Sequence, residues 1–365
     1  MVRPSAVKSV PFVLSMVVGA GCVGAPVSGV VYDDTNRSSV SQYAQSIEAG
    51  DLRVAGVPVS LFGASTEATA ISDVNGAVAF APATDGTYLL SPDVDAGIDS
   101  TSNNAPKRLP QAIREGHVHM VHFGDSLGVV GPSEHFPERL AEHLSAIVPT
   151  TVENVAVGGS QTWDWLPGGA SGFFEHALAP RLADADVVTI TLGGNDLDVY
   201  LGNPPDYDPA HILQRFLENP EYLLEIYPNV ATIVAAIRDA NATCDIVYVI
   251  YPNYANSTVM KGYTGELQPL ASLAFGAALS LSRQLVAEYP GVVVADMYGA
   301  LGNTWLDPYL IDEVHLSSAG HQAFADEIFR ALGGVDVVAG GTAQRQFGFD
   351  GLTVPADEAR SAAAG

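Results

Sequence analysis

A chain of 365 residues, 47% apolar and 16% charged, is long enough for two cores and too apolar to be disordered. Its 41 acidic residues against 16 basic ones give a formal net charge of −25, which repels phosphate backbones and anionic bilayers and argues against nucleic-acid partners. Cys22 and Cys244 are the 2 cysteines, and no Cys/His cluster has zinc-ligand spacing, so neither a disulfide framework nor a structural zinc is expected.

Arg3 and Lys8 precede an apolar run at residues 10–18 and the small residues Gly19-Ala-Gly21. A basic head, a short apolar middle and a small-residue exit predict a signal peptide over residues 1–25, because a bilayer span needs about 20 apolar residues. Cleavage after Ala20 fits this pattern. Cys22 offers lipid anchoring as an alternative, although Gly19 stands where a larger aliphatic residue is expected. Either way the protein is exported, to the medium, the periplasm or the cell surface, and a lipid at Cys22 would be its only membrane contact. Oligomeric state is open.

Residues 26–92 read as β-structure. Ser28-Gly-Val-Val-Tyr32, Val57-Pro-Val-Ser-Leu-Phe62, Ala77-Val-Ala-Phe80 and Thr87-Tyr-Leu-Leu90 are split by hairpin-type turns at Asp73-Val-Asn-Gly76 and Asp85-Gly86. With no helical period, the segment predicts a small all-β sandwich. These runs resemble prealbumin-like or carboxypeptidase-regulatory-like modules, which implies a fold and nothing of catalysis. Asp33, Asp34, Asp51 and Asp73 could supply oxygen ligands to calcium; solvated turn acids are the simpler reading. Residues 93–116, rich in Asp, Ser, Asn and Pro, predict a linker.

From residue 117 apolar runs alternate with helical stretches. Strands are expected at 118–123, 152–157, 187–192, 246–251 and 292–296, and helices at 134–147, 228–240, 267–288 and 318–332. Continuous Val/Ile runs suit a parallel sheet covered on both faces, so residues 117–333 predict a layered α/β domain. Cys244, opening one such run, reads as a buried small hydrophobe. Residues 334–365 are Gly- and Ala-rich and predict a flexible tail.

The chemistry is sought first in Gly124-Asp-Ser-Leu-Gly128, a glycine-flanked serine just after the first strand of that domain. Such a turn frees a hydroxyl for attack, and a following helical turn aims N–H groups at developing negative charge. A serine needs a base. His117, His119 and His122 lie in the strand, His321 lies in a helix, and His135, His143, His176 and His211 lack a neighbouring orienter. His315 differs, because Asp312 stands three residues upstream in the same loop and can hold the ring in one tautomer. Asn195, in Gly193-Gly-Asn-Asp196, and the glycines of Asn154-Val-Ala-Val-Gly-Gly-Ser160 follow other strands. Each could donate to an oxyanion beside the Ser126 N–H.

Taken in order, Phe123-Gly-Asp-Ser126, Gly158-Gly159, Asn195 and Asp312-x-x-His315 resemble the four-block signature of the SGNH (GDSL-type) hydrolase superfamily across residues 117–333. The resemblance implies a three-layer α/β/α flavodoxin-like domain and ester hydrolysis through an acyl-enzyme, without metal or other cofactor. By matching, Ser126 is nucleophile and donor, Gly159 and Asn195 the other oxyanion donors, His315 the base and Asp312 its orienter. Gly158 is the fallback for Gly159, and Asp125 is read as fixing the turn. Leu316 departs from the proline many relatives carry after the histidine.

Export and the β-module favour a glycan ester or another small acyl ester as substrate. A lysophospholipase- or lipase-type esterase is the alternative. Two rivals remain: an α/β-hydrolase elbow, whose acid would come from a separate loop well upstream of the histidine, and a non-catalytic surface-binding protein on a hydrolase fold. Trp163 and Trp165 could stack on a sugar ring or cover the sheet.

Overall fold

The computed structural model describes residues 25–33, 52–83, 86–92, 106–132, 134–201, 214–215, 217–258, 264–302, 304–337 and 343–349. Cys22 and nearly all of the expected signal segment lie outside the described residues, as do Asp34, Asp51 and residues 93–105.

The first half of the chain forms β1 (Ala25–Asp33), β2 (Leu52–Arg53), β3 (Pro58–Gly63), β4 (Thr66–Ile71), β5 (Ala77–Ala83), β6 (Gly86–Pro92), α1 (Arg108–Glu115), β7 (Val118–Gly124), α2 (Phe136–Ser145), β8 (Thr150–Asn154) and α3 (Ala179–Leu182). The second half adds β9 (Val187–Thr191), α4 (Gly194–Leu201), α5 (Pro220–Ala240), β10 (Asp245–Ile250), α6 (Thr264–Glu288), β11 (Val292–Asp296), α7 (Met297–Leu301), α8 (Ser318–Ala331), β12 (Gly334–Val337) and β13 (Ala343–Phe349).

Strands β7 to β11 make a five-stranded parallel sheet in the order β11-β10-β9-β7-β8. Counted within the sheet this is 2-1-3-4-5, the flavodoxin-like winding, in which the order of strand addition reverses between β7 and β9. Alternate side chains feed two cores. Met120, Val187, Val247 and Val293 pack with Leu140, Leu144, Phe324 and Ile328 of α2 and α8. Val121, Val188, Ile246 and Val292 pack with Ile233 and Ile237 of α5 and Leu281 and Leu285 of α6. Burial on both faces explains the near-continuous apolar runs in β7, β9, β10 and β11, while edge strand β8 is only half-buried; helices on both faces make the domain a three-layer α/β/α structure. Cys244 is buried and free, and it joins the second core.

Several segments differ from the sequence expectation, among them the strand expected at 152–157, which is β8 at Thr150–Asn154. Helix α5 starts at Pro220 and carries Pro228 inside it; the sequence pattern predicts a start at that inner proline. Within the expected linker, residues 108–115 form α1, whose first N–H groups are taken by a carboxylate at the start of β10. Asp245 Oδ1 accepts from Lys107 N at 2.7 Å and Oδ2 from Leu109 N at 2.6 Å. The expected flexible tail supplies β12 and β13. β12 pairs antiparallel with β6, and β13 pairs parallel with β1.

Those two C-terminal strands extend the sheets of the N-terminal β module. β1 pairs with β13, β2 and β5, while the second sheet runs β12-β6-β3-β4. Val27, Val31, Val59, Leu61, Leu90 and Val335 form its core. Phe62 and Leu89 are buried in the first α/β core instead, with Leu109 of α1. Period-two alternation therefore gives β3 and β6 one face for each core, and each such side chain contributes about 1.5–3 kcal/mol. Arg114 of α1 lies 5.0 Å over the Phe62 ring and 2.7 Å from Glu67, which ties β4 to the same junction.

Candidate active site

β7 ends at Gly124, whose φ is +148 and whose added Cβ would stand 2.2 Å from Thr191 O at the end of β9. Only glycine permits both the conformation and the approach. Asp125 N then donates to Thr191 O at 3.0 Å. Asp125 itself is extended and caps a 3-10 turn over Ser126–Gly128, its Oδ1 accepting from Leu127 N at 3.0 Å. This places Ser126 at the first position of a helical turn, where a backbone N–H has no partner within the turn. The serine is 8% exposed, and among the described residues its hydroxyl has no hydrogen-bond acceptor, His315 included.

Two other histidines lie near this turn and are shut in. His122 Nδ1 meets Thr189 Oγ1 at 2.8 Å, and a Cβ on Gly128 would strike its Nε2 at 2.4 Å. Burial pushes this ring down to about 3. His321 accepts from Phe136 N through Nδ1 and donates to Val130 O through Nε2, both at 3.2 Å, and burial pushes it down to about 4. Neither can take a proton from a serine near neutral pH.

Beyond β8 the chain crosses back to the serine turn. Val157 N donates to Gly124 O at 2.9 Å, and so does Ser160 Oγ. Gly158 and Gly159 are exposed, and nothing among the described residues accepts from their N–H groups. A Cβ on Gly158 would come 3.9 Å from that of Ser126; one on Gly159, where φ is +77, would meet open space. Asn195 lies in the first turn of α4, and its Nδ2 donates to Ser160 O at 2.8 Å. An amide has two N–H groups, so this bond aims the side chain and leaves one donor over. The structure therefore brings Ser126, the two glycines and Asn195 around a single backbone crossing.

Ser160 is the knot of that crossing. Its hydroxyl also accepts from Trp165 Nε1 at 2.9 Å, and Trp165 is fully buried against Phe123 and Phe173. Trp165 therefore covers the sheet and cannot stack on a ligand. Asp196, beside Asn195, accepts from Thr162 N at 3.1 Å and Thr162 Oγ1 at 2.5 Å. Burial raises its carboxyl above the ordinary range. The Gly-Gly-Ser of 158–160 and the aspartate of Asn195-Asp196 are the sequence signals for these supports.

His315 and Asp312 lie in a closed loop between α7 and α8. Leu310 and Leu316 form an antiparallel bridge, and Ile311 N donates to His315 O at 2.9 Å. Asp312 Oδ1 accepts from Val314 N at 3.0 Å and His315 N at 2.7 Å, while Oδ2 accepts from His315 Nδ1 at 2.7 Å. Burial tends to raise this carboxyl, but those backbone and ring donors outweigh it and hold Asp312 below the usual range. With Nδ1–H committed to a carboxylate, Nε2 carries the lone pair.

Both halves act on Asp125, which is 2% exposed. Burial pushes its carboxyl up to about 7 against hydrogen bonds from Tyr251 and Leu127, and the charges of Asp196 and His315 act on it in opposite senses. Tyr254, just beyond β10, has a buried hydroxyl without a partner among the described residues and feels both Asp125 and Asp312. Neither tyrosine was singled out in the sequence. The signal was there in Tyr251-Pro-Asn-Tyr254, polar-tipped rings at the carboxyl edge of a buried strand.

A model of the GDSL-like Lipase/Acylhydrolase family matches residues 122–323. Among solved structures, the lipase Lip_vut3 from a goat rumen metagenome is similar at 22% identity and TM-score 0.44, over 59% of this chain and 97% of that one. The extracellular lipase of Streptomyces rimosus is similar at 16% identity and TM-score 0.46, over 59% and 99%. A two-domain esterase (CEX) active on acetylated mannans is similar at 15% identity and TM-score 0.42, over 64% and 54%. No curated protein matches the chain.

Proposed function

The chain belongs to the GDSL-like lipase/acylhydrolase family, and on that footing we propose that it is an exported serine ester hydrolase acting on carbohydrate or other small acyl esters. The observation that carries the reading is the Asp312–His315 pair, joined at 2.7 Å through Nδ1 so that Nε2 can act as base. Ser126 attacks the ester carbonyl while His315 takes its proton. Negative charge on the carbonyl oxygen is met by the N–H groups of Ser126 and Gly159 and by the Asn195 amide. His315 then protonates the departing alcohol, and water, deprotonated by the same ring, releases the acid from Ser126. No cofactor enters this scheme.

A lipase- or lysophospholipase-type activity is the second reading. It is favoured by two large apolar side chains exposed on the segment that leads to and carries His315, Trp305 at 41% and Ile311 at 56%. The N-terminal β module, which we read as prealbumin-like, would act as a spacer or attachment domain for an exported enzyme.

Release of p-nitrophenol from a panel of acyl esters by the wild type, lost in Ser126→Ala, tests the reaction. Equal rates for the two proteins across the panel would instead favour a surface-binding protein. Mass spectrometry of the acid freed from acetylated polysaccharide and from lysophospholipid separates the two substrate classes.

A further inference from the structure

Tyr251 follows the last residue of β10 and lies on neither segment that carries the proposed nucleophile or base. Its hydroxyl donates to Asp125 Oδ2 at 2.5 Å, while Asp125 Oδ1 takes the N–H of Leu127 at 3.0 Å. One carboxylate thus joins the turn of Ser126 to the end of β10. A third element closes on the same atoms. A Cβ built on Gly194, the first residue of α4, would stand 3.3 Å from Asp125 Oδ2 and 3.3 Å from the Tyr251 ring. Gly194 has no left-handed φ, so what glycine supplies here is room for this contact. The next residue along α4 is Asn195.

We propose that Tyr251 is a positioning residue for the ester hydrolysis, holding Asp125 against the first turn of α4 and so fixing the Ser126 N–H relative to the Asn195 amide. The proposal rests on the reading of Ser126 as nucleophile. Oxyanion donors act only when they stand about 2.7–3.1 Å from the oxygen that becomes charged, and a misplacement of about 1 Å costs on the order of 10²-fold. Ser126 is carried by β7 and Asn195 by the helix after β9, so their separation depends on a link between those two strand ends. Ser160 supplies one such link, through Gly124 O and the Asn195 amide; Asp125 supplies another, and its second oxygen has Tyr251 as its hydrogen-bond donor. Without the hydroxyl, an oxygen from which water is excluded would lack a donor, and the carboxyl would rotate or take up a proton.

The test is steady-state kinetics of the full chain on p-nitrophenyl acetate, with melting curves, for Ser126→Ala, Tyr251→Phe, Asp125→Asn, Gly194→Ala and the double variant Asp125→Asn/Tyr251→Phe. Tyr251→Phe is expected to lower kcat by about 10–100-fold, with KM within about twofold and a nearly unchanged melting point. Because Tyr251 acts through Asp125, the double variant should be no slower than Asp125→Asn alone. Gly194→Ala, which pushes the same carboxylate and ring by a few tenths of an ångström, should lower kcat by a smaller factor. A kcat within about twofold of wild type in Tyr251→Phe, losses that multiply in the double variant, or a loss carried in KM would each overturn the proposal. Should Tyr251→Phe fail to fold, an unchanged kcat in Gly194→Ala overturns it alone. An active Ser126→Ala protein, in contrast, would bring down the esterase reading itself.

Discussion

Two buried aspartates at opposite edges of the parallel sheet invite comparison. Asp125 follows β7 at the carboxyl edge, and Asp245 opens β10 at the amino edge. They are 2% and 0% exposed, and burial pushes each up to about 7. At Asp245 the donors are backbone N–H groups, those of Lys107 and Leu109 among them, so the carboxylate caps α1 and fastens it below the sheet. At Asp125 one donor is the N–H of the serine turn and the other a phenol, and the neighbouring charges are Asp196 and His315. A displaced carboxyl is thus no marker of chemistry on its own. What separates the edges is whether the surrounding groups can exchange protons or only hold a backbone in place.

Substitutions at the two edges should therefore divide between activity and stability. The largest expected effect is Ser126→Ala, a fall in kcat of about 10⁴-fold or more with the fold intact, read on p-nitrophenyl esters beside a melting curve. Asp312→Asn comes next, about 10²–10⁴-fold in kcat with little change in KM. The amide can no longer take the Nδ1 proton as an anion, and the ring's tautomer is lost. Full activity in Asp312→Asn would mean that another acid orients His315, and Glu313 in the same loop would be the next to test.

The carboxyl edge was the more legible of the two, because its clues are local. Gly124, Ser126 and Asn195 sit in short motifs at or just past the end of a strand, the Asp312–His315 pair is a three-residue spacing within one loop, and apolar runs mark strands that are buried on both faces. What the sequence did not disclose is held together across long separations. Tyr251 reaches Asp125 from 126 positions away, and only the strand order β7-β9-β10 brings them near. α1 is eight residues long with Pro110 inside, and its capping acid lies 136 to 138 positions further on. The tail was harder still. β13 reads Ala-Gln-Arg-Gln-Phe-Gly-Phe, with little strand preference, and it forms by pairing with β1 across almost the whole chain.

At the amino edge the expected outcome is reversed. Asp245→Ala would leave the N–H groups of Lys107 and Leu109 without their acceptor under α1, costing about 2–4 kcal/mol and lowering the melting point by about 5–15 °C. Assayed well below that transition, kcat should stay within about twofold of wild type, since α1 lies across the sheet from Ser126. A loss of kcat comparable to that of Asp312→Asn would show that the two edges are coupled, and the distinction drawn from Asp125 and Asp245 would fail.

The smallest effect follows from the protons that buried carboxyls retain. Asp125, Asp245 and Glu327 are all pushed up to about 7 by burial, from ordinary values of 3.8, 3.8 and 4.5. A folded protein that keeps these protons while the unfolded chain has lost them is stabilised at low pH, and the advantage goes as pH rises through the folded values. His143, raised chiefly by its bond to Asp326, acts in the same sense. His122 and His321 act in the opposite sense. Burial holds them at about 3 and about 4, so between there and 6.5 the unfolded chain binds protons that they refuse. The two trends largely offset below pH 6.5; above it the unfolded histidines give up their remaining protons, a small gain that the titration of the carboxyls and His143 outweighs. The melting point should therefore fall between pH 6.5 and 8, on the order of 5 °C, and the fall should be smaller in Asp245→Asn. A melting point that climbs over that interval would mean that these carboxyls are already ionised in the folded protein, and that the hydrogen bonds at both edges outweigh their burial.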